Sequence, residues 1–403
     1  MTRSRILALA VFLIAAMTAI FPETAFLAAL EGLKLWFEIV LPTLLPFFIM
    51  AELLMGLGAV HFLGALLEPV MRPLFRLPGA GGFAVAMGIT AGYPLGAKIT
   101  GDLVRSRSLT QVEAERLAGF ANTAGPLFLI GAVGLGMFGR PELGATLLAA
   151  HWLGALCVGL CMRLHKGPES PPIKKEGSYL GRAISALDRA RRADGRSFGR
   201  LFSDAVRETF QSMLFIGGCI MFFSVLVQVL SATGILSPVK TLLGGALHLI
   251  GLDASLAEAL THGFFETTLG AQTASQSAAP LGAKAAAASL IIGWSGLSVQ
   301  MQAAAMLSGT NVRFRPFLYA RVLHGLFAGI FTALLLGPAS FIPASLQKTL
   351  PAASTNNYLN GSFAARFLAS ARLATSFLLI LVIILSAVWL LKRMIYISFR
   401  PRS

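Results

Sequence analysis

The sequence predicts an all-α polytopic membrane protein made of two inverted repeats, with about eight transmembrane helices and two re-entrant helical hairpins. Three observations support this fold class. First, 56% of the 403 residues are hydrophobic and only 13% are charged, whereas soluble domains average about 25% charged residues. Second, apolar runs long enough to cross a bilayer recur along the chain. Third, a pair of segments interrupted by glycine and proline occurs once in each half, which predicts an internal repeat.

Eight apolar runs are spanning candidates, because a membrane helix needs about 20 predominantly apolar residues. They are Arg5–Phe21, Leu33–Gly58, Leu117–Phe138, Leu143–Met162, Phe210–Leu230, Ala285–Ser308, Phe317–Leu336 and Thr375–Leu391. The first run follows an arginine-containing N-terminus, and no small-residue cleavage site comes after it. It is therefore predicted to be a retained signal-anchor helix.

Two further apolar stretches, Gly79–Val104 and Ala254–Ala279, are too interrupted to be ordinary spans. Each is predicted to form a re-entrant helical hairpin, which is tolerated at membrane depth only where protein or an aqueous cavity surrounds its turn. Each is followed by an apolar helix with a polar break near its start, at Phe120–Gly134 and Ile291–Gln302. Discontinuous helices at matching positions of two halves indicate a midplane binding site in a transporter.

The basic residues predict how the chain crosses the membrane. The net charge is +15, and the Lys and Arg residues sit mainly in loops beside apolar runs. This pattern predicts topology determinants and anionic-lipid contacts rather than nucleic-acid binding. With a cytoplasmic N-terminus, all basic clusters fall on one side if neither hairpin counts as a span. Because Leu249–Gly282 contains no Lys or Arg, the second hairpin is predicted to enter from the opposite side, which makes the repeat inverted.

The chain is expected to be organised in five parts, with both termini in the cytoplasm. These are a signal-anchor helix and outer loop (1–32), the first repeat (33–163), a basic cytoplasmic linker (164–208), the second repeat (209–337), and an outer loop, final span and basic tail (338–403). Two amphipathic stretches, Val60–Leu77 and Gly234–Leu252, precede the hairpins and are predicted to lie along the membrane interface.

The break in the first repeat supplies the first candidate site residues. Asn122, Thr123, Gly125 and Pro126 interrupt an apolar run. Pro126 suits the first turn of a new half-helix, with Asn122 or Thr123 near its cap. The positively charged end of such a half-helix favours a carboxylate. The alternative is a proline-kinked helix that serves packing alone.

The first hairpin tip contributes Tyr93 and Lys98. An ionisable residue at membrane depth is a functional candidate, and Lys98 is expected to attract an anionic solute. The alternatives are that Lys98 reaches the cytoplasmic surface or pairs with Asp102 one turn on.

The second repeat presents the matching groups. Glu266 and Thr267 occupy its hairpin tip, where a carboxylate is expected to bind a coupling cation or proton, or the solute; the alternative is an exposed loop carboxylate. His262, one turn away, is either a proton carrier or a packing residue. The complete set of candidate substrate-binding residues is Tyr93, Lys98, Asn122, Thr123, Gly125, Glu266, Thr267, Ser295, Gly296, Ser298 and Gln300.

Several function classes lack their sequence signatures. The chain has no G-x-x-x-x-G-K-[ST] loop, no H-E-x-x-H motif and no nucleophile elbow, so no nucleotide hydrolysis, protease or lipase chemistry is expected. The three cysteines have no metal-ligand spacing. The sequence therefore predicts a protein that is not an enzyme and needs neither cofactor nor metal.

Four motifs, LPTLLPFFIMAELL, GYPLGAK, NTAGPLFLIGAVG and GLSVQMQAA, resemble those of the YlbJ-type sporulation integral membrane proteins. These carry two nucleoside-recognition (Gate) domains, which concentrative nucleoside transporters and the membrane part of FeoB iron transporters share. The resemblance covers about Leu33 to Leu336. It implies a role in the mother-cell membrane around the forespore and transport of dipicolinic acid. The second hairpin, THGFFETTLGAQ, departs from the plainer Glu–Thr/Ser–Gly tip of the family.

The function predicted from these features is secondary transport of a small anionic solute, which the resemblance identifies as dipicolinic acid. A coupling cation or proton is an expected partner, and assembly into a homo-oligomer is expected by analogy with nucleoside carriers. Two alternatives stay open. The first is a nucleoside or nucleobase carrier on the same fold, and the second is a non-transporting membrane scaffold for spore-envelope assembly.

Overall fold

The computed structural model describes residues 3–165, 167, 179–249 and 251–336. This part of the chain forms sixteen α-helices and two π-helical segments, which confirms the all-α prediction. The predicted final span, Thr375–Leu391, and the loop before it lie outside the described residues.

The N-terminal region is a series of helices separated by sharp bends. Its elements are α1 Arg3–Ile20, α2 Pro22–Leu35, the π-helix Trp36–Val40, α3 Leu41–Gly56 and α4 Ala59–Phe75. The chain bends by 101° at Phe21, where Pro22 starts a new helix. It bends by 84° after α3, where Gly58 has a φ of 88° that few other residues adopt. The buried residues of α4 share one helix face, as the predicted amphipathic stretch requires.

The rest of the first repeat contains the predicted hairpin and the predicted break. Its elements are α5 Gly81–Ala91, α6 Leu95–Arg105, α7 Gln111–Ala121, the π-helix Leu127–Met137 and α8 Pro141–Met162. The two arms α5 and α6 pack together closely at Gly88 and Gly96. They form a hairpin whose tip is Gly92–Pro94.

Three helices lie between α8 and the second hairpin. They are α9 Tyr179–Asp194, α10 Phe198–Ala232 and α11 Ser237–Leu249. The 35-residue helix α10 starts well before the predicted span Phe210–Leu230. Ser197 caps its N-terminus by accepting a hydrogen bond from the Arg200 amide. The charged residues that follow are compatible with a helix, so α10 continues beyond its apolar part.

The second repeat follows the same order as the first. Its elements are α12 Leu256–Phe265, α13 Thr267–Gln276, α14 Leu281–Trp294, α15 Gly296–Met306 and α16 Phe314–Leu336. Helices α12 and α13 form the second hairpin, with Glu266 at its tip and close packing between Gly263 and Gly270. Helices α14 and α15 are separated at Ser295, whose φ of 68° is left-handed.

In each repeat, an unbroken helix packs antiparallel along the broken one. Helix α8 packs along α7 and the second π-helix, with Gly144 against Ile130 and Met162 against Gly119. Helix α16 packs along α14 and α15 in the same way. Gly329 packs against Leu290 and Gly325 against Gly293, while Phe317 shares an apolar cluster with Ala303 and Leu307 of α15.

The bases of the two hairpins lie at opposite ends of the α14–α15 rod. Lys284 near the start of α14 donates a hydrogen bond to Ser275 O in the second hairpin (3.2 Å). Arg105 at the end of the first hairpin donates to Ser308 O just after α15 (3.3 Å). The hairpins therefore point toward each other from opposite ends of the helical bundle.

The number of spans is partly established. By length and composition, the described part of the chain contains three candidate membrane spans, namely α8, α10 and α16, or up to five if each bent N-terminal pair counts as one span. The two broken helices, α7 with the second π-helix and α14 with α15, are not among these candidates, because each half alone is too short to span a membrane. The predicted total of about eight, and the orientation of the repeats in the bilayer, stay predictions.

Candidate functional site

A cavity lies where the two hairpin tips meet, beside the first helix break and next to helix α15, which starts at the second break. Gly92 and Tyr93 of the first tip, Glu266 and Thr267 of the second, and Gly125 of the first break all line it. Val40 and Leu44 from the N-terminal region, with Ile216 and Ile220 of α10, form an apolar wall. The volume is about 60 Å³. Elements far apart in the sequence thus converge on one small, mixed polar and apolar space.

The first break is packed tightly against the first hairpin. The Thr123 hydroxyl donates to Gly88 O (2.8 Å), and the Ala124 amide donates to His151 Nε2 on α8 (2.9 Å). Gly92 and Gly125 touch through their backbones. Asn122 is fully buried, and neither atom of its side-chain amide has a hydrogen-bond partner. A buried polar group without a partner is costly, so Asn122 requires an explanation.

The second break is packed against the second hairpin in a comparable way. Trp294 Nε1 donates to Phe264 O (3.1 Å), and Gly296 lies directly against Thr267. A Cβ at Gly296 would approach the Thr267 amide nitrogen to 2.9 Å. Ser295 is fully buried, and its hydroxyl has no hydrogen-bond partner. Each repeat therefore holds its own hairpin tip against its own break.

Glu266 is a buried carboxylate at the centre of the site. Only 2% of its surface is exposed, and its Oε2 accepts a hydrogen bond from the Leu269 amide (2.6 Å), which caps α13. A negative charge is favoured at a helix N-terminus. The predicted alternative of an exposed loop carboxylate is therefore wrong, because the hairpin tip is enclosed by protein.

Tyr93 connects the two tips across the cavity. Its hydroxyl and that of Thr267 face one another without a hydrogen bond of normal geometry. Tyr93 and Glu266 both line the cavity, one from each hairpin tip.

The other predicted residues lie behind the cavity lining. Gln300 Nε2 donates to Trp294 O (3.0 Å), whereas Gln302 lines the cavity. Gln302 donates to the hydroxyl of buried Ser298 (3.4 Å). Asn122, Thr123, Ser295 and Gly296 build the two breaks themselves. Binding roles for these residues stay predictions.

Lys98 lies outside the cavity lining. Its Nζ pairs with the Glu52 carboxylate on α3 and lies 3.4 Å from Asp102 Oδ2. The pairing with Asp102 is the alternative that the sequence offered, and Glu52 is an additional partner. Lys98 thus joins the first hairpin to the N-terminal region, and the structure provides no contact between it and the cavity.

His262 likewise joins its hairpin to a neighbouring helix. Its Nδ1 contacts the Thr273 hydroxyl (3.1 Å) and its Nε2 the Ser231 hydroxyl on α10 (3.4 Å). Glu258, which lies 3.9 Å from His262, pairs with Lys240 on α11 (2.7 Å). Polar side chains therefore connect the first hairpin to α3 and the second hairpin to α10 and α11.

Sequence reasoning missed three buried polar residues at the centre of the bundle. Arg321 on α16 donates to Asn122 O (2.7 Å) and to Gly119 O at the end of α7. The rings of His151 and His324 lie 4.2 Å apart, and His324 Nε2 donates to His151 O (2.9 Å). These residues lie inside apolar runs of the sequence, and an ionisable residue at such a position is itself a functional candidate.

A separate cluster of charged residues joins the first repeat to the second at one end of the bundle. Buried Glu115 on α7 accepts hydrogen bonds from Arg313 Nε (2.8 Å) and Gln111 (2.9 Å), and it contacts His165 (2.7 Å). Burial raises the pKa of Glu115, but these hydrogen bonds outweigh burial and lower the pKa to about 2. The carboxylate of Glu115 therefore stays ionised at physiological pH.

The site offers binding groups rather than reactive ones. It combines a helix-capping carboxylate, hydroxyls, amides and a buried guanidinium inside an apolar bundle. Across the described ranges, no group of three or more His, Cys, Asp or Glu residues is arranged to hold a metal ion. Such an arrangement can bind and orient a small polar solute.

The fold and the site define an integral membrane protein in which two helical repeats enclose a central polar site. The chain belongs to the Gate family, which is described as nucleoside recognition; the family model matches residues 37–148 and 213–334. This is not an enzyme family, as the sequence predicts. The chain is 44% identical over 321 residues to the sporulation integral membrane protein YlbJ of Bacillus subtilis (strain 168), and the match covers 79% of each chain. The resemblance inferred from the motifs is confirmed.

Two solved structures of CNTnw are also similar to this chain. The inward-facing, substrate-bound structure is 14% identical with a TM-score of 0.36. A doubly substituted form in an outward-facing state is 15% identical with a TM-score of 0.38. Each match covers 79% of this chain and 85% of the other.

Proposed function

We propose that this protein is a secondary transporter of a small anionic solute, which binds in the cavity between the hairpin tips and the helix breaks. The convergence of these four elements carries the proposal. Burying polar groups such as Glu266 and Thr267 inside an apolar bundle is energetically unfavourable, and such groups typically mark a solute or ion path. Two discontinuous segments in matching positions are the arrangement that alternating-access carriers use.

Movement is part of this proposal, because the cavity is small. Its volume of about 60 Å³ is far below the roughly 300–1,000 Å³ of typical ligand pockets. A ring-containing solute therefore needs the apolar wall, which includes Leu44 and Ile216, to separate from the hairpin tips. The ion pair between Glu52 and Lys98 spans the same boundary on the first hairpin.

A coupling ion also follows from the charges. The Glu266 carboxylate lines the cavity and opposes the entry of an anion by like-charge repulsion. A cation or a proton bound at Glu266 removes this repulsion. Replacing Glu266 by Gln is therefore expected to weaken the dependence of transport on that ion.

Dipicolinate is the solute that the family resemblance supports. The similarity to a sporulation membrane protein is consistent with this choice. The location that accompanies it is the mother-cell membrane around the forespore, with both termini in the cytoplasm and anionic lipids near the basic linker.

Uptake by proteoliposomes tests the proposal. Purified protein is expected to transport radiolabelled dipicolinate above the background of empty liposomes. The substitutions Asn122→Ala and Glu266→Gln are expected to reduce uptake at least about tenfold, since each removes a polar group from the site. Asn311→Ala and Glu23→Gln are matched controls at exposed positions and are expected to transport normally.

A second candidate is a nucleoside carrier. The family description, nucleoside recognition, favours it. The cavity-lining rings of Tyr93 and Phe128, with centroids 6.3 Å apart, offer aromatic faces to a base. Radiolabelled uridine in the same liposomes separates the candidates: uptake of uridine without uptake of dipicolinate reverses their order.

The non-transporting scaffold makes the opposite prediction for the variants. A scaffold shows no uptake of either solute by the wild-type protein. It also supports spore formation equally well with Asn122→Ala or Glu266→Gln, provided that the variants are expressed normally. That pair of results would remove the transport proposal.

A further inference from the structure

Arg321 is a fully buried cation in the middle of α16. Two of its nitrogens donate to the backbone carbonyls of Asn122 (2.7 Å) and Gly119. Its Nε has no hydrogen-bond partner. The guanidinium also lies over the Phe317 ring, 5.3 Å from the ring centroid.

No counter-ion for this charge occurs among the residues that the structure describes. The hydrogen bonds of Arg321 go only to the neutral carbonyls of Asn122 and Gly119. Lys98, the cation that the sequence favoured, pairs with Glu52 instead. Since an unpaired buried charge is strongly unfavourable, Arg321 is the unbalanced positive charge next to the site.

Arg321 also lies where both breaks meet. It bonds Asn122 O at the first break. Gly325, one turn along α16, packs against Gly293 and Trp294. Because α16 runs antiparallel to α14 and α15, Arg321 lies level with the second break at Ser295. The buried polar atoms without partners, on Asn122, Ser295 and Arg321 itself, therefore belong to one region.

We propose that a carboxylate of the transported solute is the missing counter-ion of Arg321. On this view Arg321 selects anions over neutral solutes, and the unpartnered amide of Asn122 is the adjacent neutral contact. The inference rests on the proposed transport function and adds the residue that determines its charge selectivity. The first break connects Arg321 to the cavity, because Arg321 bonds Asn122 O and Gly125 of the same break lines the cavity.

A purely structural role for Arg321 has different consequences. A cation is favoured at the C-terminus of a helix, and Arg321 covers the final carbonyls of α7. If capping were its whole role, a change of charge would alter stability but would leave the preference between anionic and neutral solutes unchanged. Charge preference is therefore the decisive measurement.

The substitution Asn122→Asp provides the sharpest test. It is nearly isosteric and places a carboxylate on the residue whose backbone carbonyl Arg321 binds, so it supplies an internal counter-ion. Dipicolinate uptake is expected to fall about 30-fold or more, while thermal stability in detergent is kept or increased. Asn311→Asp introduces the same charge at an exposed position and is expected to transport normally.

Two substitutions of Arg321 complete the test with dipicolinate and its neutral analogue, pyridine-2,6-dicarboxamide, as competitors of uptake. Arg321→Gln is expected to lose the preference for the anion, and Arg321→Lys is expected to keep it. Arg315→Gln removes the same charge from an exposed position of the same helix and serves as the control. If Arg321→Gln does not fold, Asn122→Asp and Arg321→Lys still decide the question.

The outcomes separate this inference from the proposed function. If wild-type protein transports dipicolinate and Asn122→Asp transports it equally well, the inference fails and the transport function stands. An Arg321→Lys variant that prefers the neutral analogue also overturns it. If wild-type protein transports no dipicolinate, the proposed function fails and the inference fails with it.

Discussion

Arg321 and Asn122 are 199 residues apart in the sequence, yet the hydrogen bond between them joins the second repeat to the break in the first. Hydropathy averaging conceals such a contact, because one arginine hardly changes the mean of a 23-residue apolar helix. Residue type at membrane depth was the informative signal. The break itself was predictable, since Pro126 and the polar residues before it interrupt an otherwise apolar run.

Gly96 gives a test at the scale of one residue. A Cβ at this position would lie 2.1 Å from Ala121 O, where backbone atoms leave little room for adjustment. Gly96→Ala is therefore expected to cost about 2 kcal/mol of stability through overpacking. The fall in the thermal unfolding midpoint in detergent measures this cost.

Gly218→Ala is the matched control for that substitution. Gly218 lies in α10, and a Cβ there would have no neighbour within 4 Å. Alanine is the better helix former, so the unfolding midpoint of this variant is expected to be unchanged or higher. An equal fall in the unfolding midpoint of both variants would contradict this account, because the loss would then not come from the contact with Ala121.

At the scale of elements, the hairpins and breaks were predictable and their partners were not. Glycine and proline mark chain reversals locally, so both hairpins and the division at Ser295 follow from the sequence. The partner of Lys98 is Glu52, which is 46 residues away on α3. Such a pair depends on how α3 packs against α6, and no local pattern encodes that packing.

The Glu52–Lys98 pair is open to a double-mutant cycle. Both side chains are nearly buried, with exposures of 12% and 11%. Glu52→Met alone is expected to cost about 3 kcal/mol, because it leaves Lys98 with only the more distant Asp102, and Lys98→Met alone is expected to cost a similar amount, because it leaves the Glu52 carboxylate without Lys98. Glu52→Met combined with Lys98→Met is expected to restore most of that stability. Chemical unfolding in detergent measures the cycle, and additive effects would show that the two groups do not interact.

At the scale of the whole molecule, the two repeats meet through equivalent residues. His151 and His324 are separated by 173 positions and are in contact, and Asn122 and Ser295 at the two breaks have the same sequence separation. The order of elements was predictable from repeated hydropathy and from the positions of the breaks. The contact between the histidines was not, because it is made where α8 and α16 cross.

Opposed entry of the hairpins predicts a labelling pattern. In a background without Cys157, Cys161 and Cys219, Ser108→Cys at the base of the first hairpin is expected to react with a membrane-impermeant thiol reagent only from the cytoplasmic side. Ser275→Cys in the second hairpin is expected to react only from the other side. Reaction of both thiols from the same side would contradict the inverted repeat.

The positive charge of Arg321 has no counterpart in the first repeat. At the place in the first repeat that corresponds to Arg321, the chain has the apolar Leu148. The duplicated architecture thus carries Arg321 in one repeat alone, so its electric field lacks the symmetry of the backbone. If the protein transports an anion as proposed, opening toward one compartment and opening toward the other are not mirror images, and we expect the anion to bind with a different affinity from each side.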